Sequence, residues 1–172
     1  MLDLLTFYVD LWIAAKMPLA AVGAHARFPG RGTNSWADGH DVILGEDAID
    51  FDITLTAVDS AKGTVRVTVR HVGPDEPRIK ATAEWMRAPV VDVPNNWIQI
   101  ERGPGGTFIA GIGKETFDVE LTVSMSDGRI LAATMDNPVD VLERVCTDRE
   151  LSSCGEPRRY RILRKIAIRE VR

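Results

Sequence analysis

Between residues 115 and 135 apolar and polar positions alternate: Phe117, Val119, Leu121, Val123 and Met125 against Asp118, Glu120, Thr122 and Ser124. A Ser126-Asp127-Gly128 turn follows, then a second apolar-rich run from Ile130 to Met135. Period-two alternation closed by Asp-Gly predicts a β-hairpin. A two-residue Asp127-Gly128 loop would pair Met125 with Ile130. A three-residue Ser126-Asp127-Gly128 loop pairs Met125 with Arg129 and turns Leu131, Ala133 and Met135 to the core. The second register buries the larger side chains and puts Gly128 in the left-handed position, so it is the one expected.

The same period continues elsewhere. Ile49, Phe51, Ile53 and Leu55 alternate with Asp50, Asp52, Thr54 and Thr56. After a turn at residues 59–63, Val65, Val67 and Val69 interleave with Arg66, Thr68 and Arg70. The acids of the first run and the arginines of the second suit cross-strand pairing, worth about 0.2–1 kcal/mol per exposed pair. Residues 78–87 predict a third strand with Ile79, Ala81, Ala83 and Trp85 inward. Shorter strands are expected at 97–101 and 108–112, with the glycines of residues 103–114 in turns. Asn137-Pro138 is expected to break the ladder, which resumes at Val139. The final run, residues 158–171, places Arg164 on the parity of Tyr160, Ile162, Ile166 and Ile168. A bulge near Leu163 is the expected remedy, because burying an unpaired charge is costly; the alternative is an opening in the core that receives Arg164.

The N-terminal pattern differs. Leu4, Leu5, Tyr8, Leu11, Trp12 and Ala15 share a helical face, Asp3 can cap, and Pro18 stops the run, which predicts a helix within residues 1–17. The competing reading is a strand, since Phe7, Val9, Leu11 and Ile13 alternate. Residues 22–46 are rich in turn formers and read as an irregular loop. Together these elements predict a single all-β domain over residues 1–172: an antiparallel β-barrel or curved β-sandwich of about 8–9 strands (residues 49–171) with one N-terminal helix.

Composition narrows the functions. The 172-residue chain carries 21 basic and 25 acidic residues, a net charge of −4, which argues against a nucleic-acid partner. Asp3, Asp10 and Lys16 interrupt the apolar N-terminus, so neither an export signal nor a membrane span is expected there, though a signal upstream of Met1 stays open. Gly113-Lys114 lacks the other P-loop positions, the dinucleotide fingerprint fails at Thr116, and no GxSxG or SxxK occurs. No cofactor is implied. With no HExxH, CxxC or close histidine pair, no metal site is expected.

Cys146 and Cys154 enclose a short turn in which Thr147 and Glu150 fit a capping box, and they predict a disulfide and hence a periplasmic or secreted protein; a cytoplasmic protein with two buried thiols is the alternative. Two functional classes follow, with a third behind them. The first is a non-catalytic exported domain binding a small apolar or amphipathic molecule, with His25, Arg27, Trp36 and His40 of the long loop as binding candidates. The second is a small barrel enzyme, an isomerase, cyclase or hydrolase, whose inward acid–base groups would be His71, Tyr160 and Glu101. The third is an assembly module using the apolar N-terminal helix. The basic residues of the last strand are expected to pair with acids such as Asp118, Glu120 and Glu143. The pattern leaves oligomeric state open.

Overall fold

The computed structural model describes residues 15–16, 19–33, 42–73 and 78–170. Eight strands form one antiparallel sheet: β1 (His25–Thr33), β2 (Val42–Asp59), β3 (Thr64–Val72), β4 (Trp97–Arg102), β5 (Phe108–Glu115), β6 (Asp118–Ser124), β7 (Ile130–Cys146) and β8 (Arg158–Arg169). Residues 46 and 47 of β2 pair with both β1 and β4, and residues 50–54 with both β1 and β3. So β3 and β4 lie end to end along the same edge of β2. By the same reasoning β5 and β6 lie end to end along one edge of β7, with β8 on its other edge. The eight strands therefore occupy six positions of an up-and-down meander: β1, β2, β3 with β4, β5 with β6, β7, β8. Among the described residues the sheet does not close into a barrel, and β1 and β8 are its outer strands.

The expected hairpin register holds through the body of the ladder. Thr122 pairs with Ala132 and Leu121 with Ala133, burying Ala133 and Met135. At the tip the chain shifts so that Val123 meets Ile130, and Gly128 takes a φ of 68° while its N–H donates to Ser124 O. The cross-strand ion pairs differ from those expected: Arg66 meets Glu120 and Arg70 meets Asp118 across β3–β6, while Asp50 is held by Arg78.

Register is continuous from Phe108↔Cys146 to Thr122↔Ala132, so residue parity identifies the sheet faces. At the hairpin end the odd face is buried, with Val119, Leu121, Val123, Val67, Val69, Ile53 and Leu55 in one cluster against which Ala15 and Leu19 pack. At the disulfide end the larger cluster lies on the even face, where Ala110, Ile112, Ile98 and Ile100 lie beneath Ile79, Ala83, Met86 and Leu151, and Trp97, Val139 and Val141 form a smaller buried cluster on the odd face. Burying each such aliphatic side chain contributes about 1.5–3 kcal/mol.

Three expected elements take a different form. Residues 78–87 bury Ile79 and Ala83 as their alternation implies, yet form bends and a 3-10 turn (Glu84–Met86) rather than a strand. They have no ladder to join, because β4 occupies the place beyond β3. Gly111 and Gly113 belong to β5, not to a turn, since a Cβ on either would come within 3.1–3.2 Å of the Trp97 ring. The expected loop at residues 22–46 contains β1 and the start of β2, and an outer strand tolerates Pro29, which has no N–H, because its outer edge needs no donor. The expected N-terminal helix lies almost wholly outside the described residues, among which no α-helical element is formed.

Candidate functional site

Midway along the sheet the meander is interrupted twice. The chain leaves after β3 and returns at β4, and the β5–β6 junction lies opposite Asn137-Pro138 of β7. Sequence patterning implies that this proline ends a strand, yet β7 runs through it. Thr116 N–H donates to Pro138 O at 3.0 Å. Proline has no N–H to return, and Asn137 Nδ2 donates to Thr116 O in its place at 2.6 Å, and to Glu115 Oε1 at 2.8 Å. Asn96 does similar work across the other interruption. Its Oδ1 accepts Glu115 N–H at 2.7 Å and its Nδ2 donates to Glu115 O at 3.0 Å, as a paired strand residue would. Asn96 and Asn137 are 0% and 2% exposed. Their amides satisfy backbone groups that would otherwise be buried unpaired.

His71 and Lys114 stand at this break. The Asn96 amide is oriented by Glu115, so its Nδ2 is a donor toward His71 Nε2 at 3.1 Å. Lys114 Nζ approaches the same nitrogen at 3.2 Å. Nε2 must therefore accept, and the ring is neutral with its proton on Nδ1, buried beside the Asp50 backbone without a well-formed hydrogen bond. Burial, and then the Lys114 charge, push the imidazole down to about 4. Burial also lowers Lys114.

Arg164 shows why no bulge forms at Leu163. The β7–β8 register is unbroken, and Arg164 Nη1 lies 3.5 Å from the buried carboxylate of Glu115. The arginine stays partly exposed, with 37% of its side chain accessible, while it faces the buried Glu115, so its charge is neither buried nor unpaired.

Tyr160 and Glu101 lie apart from His71, on the odd face of the disulfide end. The Tyr160 hydroxyl donates to Glu143 Oε2 at 2.9 Å, and Gln99 Nε2 donates to Glu101 Oε2 at 3.2 Å. Burial, followed by Glu143 and Glu101, raises the phenol well above its ordinary range and keeps it protonated. The three expected acid–base residues thus fall into two groups. His25 is exposed and contacts Asp52 at 3.2 Å, and Arg27 is exposed. Trp36 and His40 lie outside the described residues. Among the described residues, no group of three or more His, Cys, Asp or Glu is placed to hold a metal, and no helix is long and apolar enough to cross a membrane.

Cys146 and Cys154 form the disulfide, which is compatible with an oxidising, extracellular location. The intervening chain is a turn rather than the expected capped helix: the Asp148 carboxylate accepts Ser152 N–H at 3.0 Å and also Ser153 N–H.

The remaining feature is the outer edge of β8. Glu170 N–H donates to Leu131 O at 2.9 Å, and register is unbroken from that end to Glu143↔Arg158. Even-numbered residues of β8 therefore turn their backbone N–H and C=O toward β7. Arg159, Arg161, Leu163, Lys165, Ala167 and Arg169 turn theirs outward, where no described strand pairs with them. Six residues of β8 are basic and none is acidic. The acids facing them are Glu143, Asp140, Glu115 and Asp136, so the expected pairing with acids occurs, with Glu143 as the one expected partner among them. Leu163, at the middle of the edge, is 61% exposed.

Alternation in the sequence exposes β8 and its charge, but the outward direction of its amides needs the β7 register. Asn96, Asn137, Lys114 and Glu115 carry no local motif, and only their isolation within apolar runs distinguishes them. No family model, curated protein or solved structure matches the chain.

Proposed function

We propose that this chain is a non-catalytic binding domain of an oxidising compartment that works by strand addition, an extended acidic segment of a partner polypeptide pairing along the outer edge of β8. The observation that carries this reading is the uninterrupted outer edge: a continuous register with neither proline nor bulge. Natural edge strands are ordinarily blunted by such devices. By contrast, β1 at the opposite edge contains Pro29. Each added main-chain hydrogen bond contributes about 0.5–1.5 kcal/mol net, and side chains set specificity on alternate positions. Arg161 and Lys165 retain 58% and 69% side-chain exposure on either side of Leu163. A partner strand with acids flanking one apolar residue complements that row.

The sheet geometry gives less support to an apolar-ligand barrel. Among the described residues the sheet does not close around an interior, and the hollow of about 680 Å³ at the hairpin end is an open one whose lining mixes Lys62, Arg129 and Glu170 with Met125 and Leu131. The separation of His71 from Tyr160 and Glu101 likewise gives an enzyme reading little to build on.

A displayed library of random peptides provides the test. Selection should enrich extended sequences with acids at alternate positions, whose binding perturbs β8 and weakens with salt. Leu163→Pro removes an outward N–H and no β7 hydrogen bond, so it should leave the circular dichroism unchanged and abolish binding. Enrichment of peptides that still bind the folded Leu163→Pro protein, or no enrichment at all, would overturn the proposal.

A further inference from the structure

The lysine at the break is unusual for a residue of its kind. Lys114 is 9% exposed, and among the described residues its one hydrogen-bond partner is His71, a neutral imidazole rather than a carboxylate. Across the ladder its neighbour is Asp140, but that carboxylate is engaged by Arg161 at 2.6 and 2.9 Å. A buried ammonium without an anionic partner is costly, and loss of its proton relieves the cost. The amine also has an approach route. Gly73 is exposed, and a Cβ there would stand 3.0 Å from Lys114 Nζ and 3.7 Å from His71 Nε2. The missing side chain leaves both reacting nitrogens reachable from the point where the chain leaves β3.

We infer that Lys114 is a carbonyl-reactive amine that captures small aldehydes as an imine, with His71 as the base and Gly73 as the opening. The neutral Nζ adds to the carbonyl carbon, and the proton released from nitrogen passes to His71 Nε2, its acceptor within hydrogen-bond reach among the described residues. The imidazolium returns that proton to the carbinolamine oxygen. The second amine proton follows the same route through His71 to that hydroxyl, and water leaves as the carbon–nitrogen double bond forms, so that amine and aldehyde give imine and water without any redox change. Asn96 positions the ring by donating to the same Nε2 and sets its tautomer. This site is separate from the β8 edge and stands or falls independently of it.

Acetaldehyde with sodium cyanoborohydride traps such an imine as an ethylated lysine that peptide mass spectrometry locates. Burial lowers the Lys114 pKa and so raises its neutral fraction at pH 7, and Lys114 should be labelled faster than Lys62, whose side chain is 79% exposed. Gly73→Val should bring the Lys114 rate to that of Lys62 or below while leaving the other lysines unchanged. His71→Gln should slow Lys114 alone and move its pH profile toward that of an ordinary lysine. Retained circular dichroism in each variant excludes unfolding as the cause. Labelling of Lys114 no faster than Lys62, or a rate unaffected by both Gly73→Val and His71→Gln, would overturn the inference.

Discussion

Asn137 and Pro138 show how a single side chain keeps a ladder intact. Removing the Asn137 amide leaves Thr116 O buried against a proline that has nothing to donate. Asn137→Ala is therefore expected to cost about 1–3 kcal/mol, measured by urea denaturation. In a Pro138→Ala background the new N–H can reach Thr116 O, so the same substitution should cost less, and a double-mutant cycle reads the difference. Equal costs in both backgrounds would contradict the compensation. His71 makes a second residue-scale prediction. Its folded value of about 4 lies below its unfolded value of 6.5, and the groups facing it are Lys114, Asp50 and Arg78. The unfolded chain binds the proton more readily, so this contribution to stability is complete above pH 6.5 and is lost as pH falls toward 4. Urea midpoints should decline across that window, and His71→Gln should flatten the decline. An undiminished decline in the variant would assign it to other groups.

At the scale of elements, the disulfide closes the turn that carries Leu151 onto the second core. Leu151 is 1% exposed, and its carbonyl accepts Trp85 Nε1–H at 3.1 Å. Paired replacement of Cys146 and Cys154 by alanine is expected to cost about 2 kcal/mol. The wild-type protein should lose a similar amount in reductant, and no loss in either case would remove the staple from the account. The hairpin and the cysteine pair were legible in the sequence because each is local: alternation, a turn and a short loop suffice. The segment at residues 78–96 was not. Ile79, Ala81, Ala83 and Trp85 alternate as a strand would, but alternation reports which side chains are buried, not whether a neighbouring ladder is free to accept the backbone. Arg164 misled for a related reason. Its partner Glu115 is distant in sequence, so the charge looked unpaired.

Among the described residues the molecule is a meander whose larger core changes face midway. Local patterns announce the strands but not this exchange, which depends on β3 with β4, and β5 with β6, sharing positions between the long strands β2 and β7. Strand count and alternation alone suit a closed barrel. The pairing leaves β1 and β8 as separate edges, which is why the functional proposal moves from an interior to an edge. The candidate residues chosen for an interior, His71, Tyr160 and Glu101, fall at the break and on the odd face of the disulfide end instead. The most direct test of this account is residue-resolved amide hydrogen exchange along β8 in the isolated native protein. Tyr160, Ile162, Arg164, Ile166 and Ile168 should exchange slowly, because their N–H groups enter the β7 ladder. Arg159, Arg161, Leu163, Lys165, Ala167 and Arg169 should exchange rapidly, because theirs face outward, where no described strand pairs with them. Uniform protection along the strand would show the edge already covered and contradict the proposed mode of binding.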